Sequence, residues 1–180
     1  VSSVAVNLYR YFSMFSKNLE RMIQLAEETF SVRTDPNQLD VTEAVIEKLR
    51  EIHPATLSEH TVDDGPVVWI LLIPSSTETM HRFLNEEISE RELLNEVIPG
   101  QVYDSIYLCS ALVLPEFRKK GLAMQLTLEA IEKIQLQHPI GALYVWPFSR
   151  EGFALAARIA NEVKVPLFAR SSEMDFKEEF

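Results

Sequence analysis

A chain of 180 residues is long enough to bury one core and short for two, and its 47% hydrophobic and 24% charged residues are the mix of a water-soluble globular protein. With 27 acidic against 17 basic residues the net charge is -10, which argues against sequence-independent binding to nucleic acid or to an anionic membrane. The one cysteine, Cys109, excludes an internal disulfide framework, fits a reducing compartment and argues against a metal site.

The opening VSSVAVNLYRYFSMF is broken by Arg10 and lacks a small-residue cleavage site, so it does not read as a signal peptide. Leu19, Met22, Ile23, Ala26 and Phe30 then recur at helical spacing. A turn-rich loop, SVRTDPNQLD, follows. Asp40 with Glu43 reads as a capping box for a helix VTEAVIEKLREI, which His53-Pro54 ends. TLSEHTV and PVVWILLIP around a DDG turn predict a β-hairpin. The apolar run VVWILLI at 67–73 is too short to cross a bilayer, and the expected compartment is the cytoplasm. Residues 76–97 return to helix, with a second capping box at Ser89 and Glu92.

YDSIYLCSALVL, 103–114, predicts a strand bounded by Gly100 and Pro115. A helix follows from about Lys120 to Gln137, with Ala123, Leu126, Ala130, Ile131 and Ile134 on its core face. GALYVWP reads as a strand, SREGFALAARIANEV as a helix begun at Ser149, and VPLFAR as a last strand before the acidic tail EMDFKEEF. No repeat or linker interrupts the alternation of strands and helices, so 1–180 reads as a single α/β domain.

LVLPEFRKKGLAMQL places Arg118, Lys119 and Lys120 where the helix macrodipole disfavours cations. A surface charge triplet alone is ordinarily a solvated turn. Here a buried strand runs into the triplet and an amphipathic helix leaves it. Gly121 is one of only five glycines and falls where a helix would begin. Free N–H groups from about Lys119 to Ala123 point outward, glycine lets an anion approach them, and the cations offset its charge. The turn reads as a pyrophosphate cradle. The spacing is neither Walker nor Rossmann.

Arg118-Lys119-Lys120-Gly121-Leu122-Ala123 follows R-x-x-G-x-A, and with the preceding strand and following helix it resembles the acyl-CoA-binding motif of the GNAT N-acetyltransferase superfamily. The resemblance is close over roughly 104–136 and looser from about 16 to 170. It implies a mixed, mostly antiparallel central sheet flanked by helices, with acetyl-CoA as cosubstrate and no metal. It further implies that the backbone of Ala111, Leu112 and Val113 pairs with the pantetheine arm. The amides of Lys119, Lys120, Gly121, Leu122 and Ala123 would hold the pyrophosphate, aided by Arg118 and Lys120.

The chain departs from the family pattern in two places. SREGFALAARIAN lacks the tyrosine commonly assigned as the acid for the departing thiolate, and its only asparagine, Asn161, lies at the far end. A helical insertion at about 76–97 also replaces a short connection. Asp104 and Tyr107 are the candidates for a catalytic base; Cys109, with no histidine near it in sequence, reads as a small packed residue, and Tyr103 and Tyr144 as packed aromatics with bonded hydroxyls. His53, His60, His81 and His138 show no ligand spacing. The resemblance implies acetyl transfer to a small-molecule or peptide amine; the acidic balance argues against nucleic-acid and membrane partners, and a homodimer stays open. The alternative is a non-catalytic acyl-CoA sensor or interaction module. The acidic charge favours a cationic acceptor, with Asp35 and Asp40 as steering groups.

Overall fold

Val67 to Ile73 form an apolar run too long to leave in water, and the strand that contains them is paired on both edges. The computed structural model describes residues 16–29 and 37–171. In it β2 (Gly65–Ser75) pairs antiparallel with β1 (Leu57–Val62) on one side and with β3 (Ser105–Val113) on the other. Beyond β3 the sheet turns parallel, through β4 (Ala142–Val145) to β5 (Leu167–Ala169), in the order β1-β2-β3-β4-β5. The sheet is therefore mixed, with its long pairings antiparallel and its short ones parallel. Helices flank it: α1 (Lys17–Thr29) lies along β2 and β3, and α5 (Leu122–Gln135) along β1, β2 and β3. α2 (Glu43–Ile52), α3 (Thr77–Leu84), α4 (Glu90–Glu96) and α6 (Arg150–Val163) complete the layers. One contiguous core, including Met22, Leu49, Phe83, Tyr107, Ile131 and Tyr144, joins both sides of the sheet. No helix among the described residues is long and apolar enough to cross a membrane.

The DDG hairpin, the Ser89–Glu92 capping box and the Ser149 cap form as the sequence predicts. Three expectations are corrected. α2 is capped by Thr42, whose side chain accepts from the Val45 amide, and Asp40 is instead an exposed residue two positions before the cap. The insertion is two helices, broken where Glu86 takes a left-handed conformation at φ 64. α5 starts at Leu122 and not Lys120, because Lys119 (φ 60) and Gly121 (φ 78) are both left-handed. Phe30, Asp35, the segment preceding Ser16 and the acidic tail lie outside the described residues.

Folding also brings together two histidines that sequence spacing keeps apart. His53 ends α2, and its ring lies 6.0 Å from that of His138. The Ala55 amide donates to His53 Nδ1 (3.0 Å) and the Tyr103 amide to His138 Nδ1 (3.3 Å). Each neutral ring therefore carries its proton on Nε2, and a second proton would have to displace a backbone donor. Burial holds both imidazoles below their ordinary value of 6.5, and in His53 the neighbouring His138 adds to the effect. The folded chain binds these protons less readily than the unfolded one. Their contribution to stability is thus complete above pH 6.5 and is lost as pH falls through the folded-state values. The melting temperature should drop on acidification from neutral pH, and His53→Asn/His138→Asn, which keeps an acceptor at each ring position, should flatten that drop. An unchanged pH slope in the double variant would show that other groups carry it.

Candidate functional site

β3 and β4 pair only at Ser105, Ile106 and Tyr107, opposite Ala142, Leu143 and Tyr144. β3 then runs on to Val113 with no strand on that edge among the described residues. The cause is visible in the register with β2. Leu71 faces Ser110 and Leu72 faces Leu108, so Cys109 is an extra residue, a β-bulge just beyond the last β4 partner. A bulge bends its strand and increases the local twist, which carries β3 away from β4. The open edge from Leu108 to Val113 is about 20 Å long at ~3.3 Å per residue.

That edge leads directly into the basic turn. A short 3-10 turn (Pro115–Phe117) is followed by Arg118, whose Nε donates back to the Val113 carbonyl at 3.1 Å. The Lys120 ammonium sits 5.0 Å over the Phe117 ring. Lys119 (φ 60) and Gly121 (φ 78) both take left-handed conformations, the backbone state from which anion-binding nests are built. Helices α2, α3, α4 and α6 each open on a serine or threonine that caps the first turn; α5 opens on Gly121 with no side-chain cap. A methyl group built at Gly121 would meet nothing within 4 Å. There is room for a ligand against the uncapped first-turn amides of α5, and Leu122 and Ala123, half-buried behind them, anchor the helix to the core. Ala111 and Val113 are at least partly exposed, whereas Leu112 is buried. The two sets of residues singled out in the sequence thus adjoin along the chain, joined by the short turn Pro115–Phe117.

At the other end of the open edge lies a buried polar cluster that the sequence did not suggest. Glu90, the first residue of α4, is 4% exposed. Its Oε1 accepts from the Tyr107 hydroxyl at 2.6 Å and from the Cys109 thiol at 3.6 Å, and its Oε2 accepts from the Leu39 amide at 2.6 Å. Burial raises the Glu90 carboxyl above its usual range, against the pull of these donors. Burial and the adjoining carboxyl also raise the Tyr107 and Cys109 pKa values well above normal, so phenol and thiol keep their protons at neutral pH. Arg170, at the end of β5, donates from Nη1 to the Ile88 carbonyl (3.0 Å). Its guanidinium lies 4.6 Å from the centroids of both Phe83 and Trp146. Tyr144 stacks on Tyr107 at 5.1 Å and shares a hydrogen bond with Ser75 at 2.7 Å.

Of the two base candidates, Tyr107 lies inside this cluster and Asp104 does not. Asp104 precedes β3 at its paired end, where the Gly141 amide donates to its carbonyl. Its Oδ1 is buried without a hydrogen-bond partner among the described residues. Tyr103 bonds the Ile98 carbonyl at 2.7 Å, a packed aromatic with a satisfied hydroxyl. Glu90 and Arg170 had no local signal, because a capping-box helix and a strand-end arginine are ordinary in sequence. A groove of about 450 Å³ between the start of β1 and the C-terminal half of α5, with His53, Leu57 and Lys133 on its walls, lies away from the basic turn. No group of three or more metal-ligating side chains occurs among the described residues.

No protein-family model and no curated protein matches this chain.

Tyr107→Phe removes one of three donors to a buried carboxylate and should cost about 1–3 kcal/mol, whereas Tyr144→Phe loses a neutral bond and should cost ~1 kcal/mol. Urea unfolding compares the two, and equal losses would mean that the Tyr107–Glu90 bond is not special.

Proposed function

We propose that this chain binds acyl-coenzyme A along the open edge of β3 and over the basic turn, and transfers the acyl group to a primary amine. The observation that carries the reading is continuity. A strand edge freed at Tyr107 leads without interruption to the uncapped amides at the start of α5. An extended arm with amide groups suits the first part, by adding to the strand edge as a peptide would. A polyanion suits the second. The resemblance of Arg118 to Ala123 to the acyl-CoA motif supports the same assignment, and the mixed sheet is compatible with it.

On this reading the cosubstrate brings an acyl thioester to the point where β3 leaves β4. The backbone of Ala111 to Val113 orients the arm, and the amides from Lys119 to Ala123 hold the pyrophosphate. Arg118, Lys119 and Lys120 offset its charge. Only Nε of Arg118 is engaged by Val113, which leaves the rest of the guanidinium for phosphate. Glu90, acting through the Tyr107 hydroxyl, accepts the proton of the incoming amine. A carboxyl raised by burial is a better base than an exposed one. The net charge of -10 favours a cationic acceptor.

Binding is tested by titrating CoA into variants. A charge-assisted contact contributes on the order of 1.5–3 kcal/mol, so Arg118→Glu should weaken CoA binding at least tenfold. Gly121→Val, which crowds the space over the amides and strains a left-handed residue, should weaken it further. A folded double variant that binds CoA like the wild type would sink the assignment.

Turnover is tested by thiol release from acetyl-CoA across amines of graded pKa. Rates should rise with pH below the amine pKa, favour less basic acceptors and fall with added salt. Tyr107→Phe should lower kcat by roughly 100-fold while CoA affinity holds. A second reading has its own support, since each Glu90 oxygen already accepts a bond and Tyr107 is fully buried. Tight CoA binding with no turnover on any amine would select that reading, a non-catalytic acyl-CoA-binding module.

A further inference from the structure

Between Leu114 and Ala123 the chain carries three cations and a single carboxylate, Glu116. That carboxylate points away from none of the charge around it: Lys120 acts on it, and Arg21 of α1 grips it with both arms. Nη1 of Arg21 donates to Oε1 at 2.6 Å and Nη2 to Oε2 at 2.8 Å, across 95 residues of sequence. The two side chains are 45% and 47% exposed, and an ion pair that wet contributes little to folding. α1 has other anchors. Met22 is fully buried, and the Asp64 carbonyl accepts from the Asn18 amide (3.2 Å) and from the Ser16 hydroxyl. Stability alone is a weak reason for this geometry.

We propose that Arg21 belongs to the cofactor site: by pairing with Glu116 it cancels the one carboxylate on the basic turn and so couples the docking of α1 to the binding of a polyanion. This rests on reading the turn as an acyl-CoA phosphate site. Glu116 lies two residues before Arg118, well within a Debye length of anything held by the turn. Left unpaired it would repel each phosphate. Protonation offers no relief, because the Arg21 hydrogen bonds hold this carboxyl down at about 2, and it stays ionised at any working pH. Only a neighbouring cation can mask it, and the cation comes from a different part of the chain. Linkage then makes the effect reciprocal. A bound polyanion raises the cost of unpairing Glu116 and therefore tightens the hold on α1.

The experiment measures CoA affinity by calorimetry for wild type, Arg21→Ala, Glu116→Gln and the double variant, at low and at high salt. Arg21→Ala should lose roughly three- to tenfold in affinity at low salt, and the loss should shrink at high salt. Glu116→Gln should bind as tightly as wild type or more so. The double variant should recover what Arg21→Ala lost. Amide exchange in α1 should slow when CoA is added to wild type and change less in the double variant. Wild-type affinity in Arg21→Ala overturns this inference and leaves the cofactor assignment standing. A double variant as weak as Arg21→Ala overturns it also, because the defect would then be lost docking and not unmasked charge. Glu116→Gln reads the same charge without altering α1, so a reduced affinity there counts against the inference even if Arg21→Ala unfolds. Failure of wild type to bind CoA at all would overturn the cofactor assignment, and this inference with it.

Discussion

A parallel strand pair that stops short leaves unpaired amides and carbonyls on one strand edge and a wedge of space between two backbones. Here β3 and β4 separate after Tyr107 and Tyr144, driven by the extra residue at Cys109. The molecule treats the two consequences differently. On the insertion side the wedge is filled by Phe83, Trp146, Arg170 and the Glu90 cluster, all tied to one another by ring contacts and hydrogen bonds. Among the described residues the strand edge from Leu108 onward is left open. Filling one and leaving the other exposes part of an edge on an interior strand of the sheet.

Charge is distributed with the same economy. A chain of net charge -10 places three consecutive cations at the start of α5, against the dipole of a helix that has no capping side chain there. Neither feature helps the free protein. Both become favourable once an anion lies against the first turn, since it supplies the missing acceptor for the amides and the missing counter-charge for the side chains. Local disagreement with the rules of helix stability is where function is expected to show.

The parts of this arrangement that are local were legible from residue order. The DDG hairpin and the serine caps at Ser89 and Ser149 depend on neighbours a few residues apart, and they stand where the sequence placed them. α5 starts two residues later than its apolar spacing suggests because Lys119 gives no sign in sequence that it will adopt a positive φ. The cap of α2 is not legible locally, because Asp40 and Thr42 are both good caps and only tertiary context chooses between them. The Glu90 cluster was illegible for a stronger reason. Its donors come from Leu39, Tyr107 and Cys109, segments separated in the chain, and Glu90 itself sits in a capping-box helix that reads as a solvent-facing insertion. Burial of a charge is a property of the assembled fold, and no window of sequence contains it.

That buried carboxyl bears on which half of the proposed chemistry the chain must supply. An amine of pKa about 10.4 has to give up roughly 3.4 units' worth of protonation to attack at pH 7, about 4.6 kcal/mol. A leaving thiol of pKa about 8.5 is out of balance by only ~1.5 units, about 2 kcal/mol. Deprotonating the amine is the larger task. The tyrosine absent from α6 would have served the smaller one, which backbone amides or water at the strand opening are able to meet. On the proposed reading Glu90 would address the larger one. Its raised carboxyl is closer in proton affinity to the amine than an ordinary glutamate, and the Tyr107 phenol, bonded to it and stacked on Tyr144, lies at the point where the strands part. Both Tyr107 and Glu90 are buried, so on the proposed catalytic reading the proton would reach Glu90 through the hydroxyl. Remove α4 and the phenol, the thiol and the Leu39 amide all lose their acceptor, so the fold at the opening and the base for the amine would fail together.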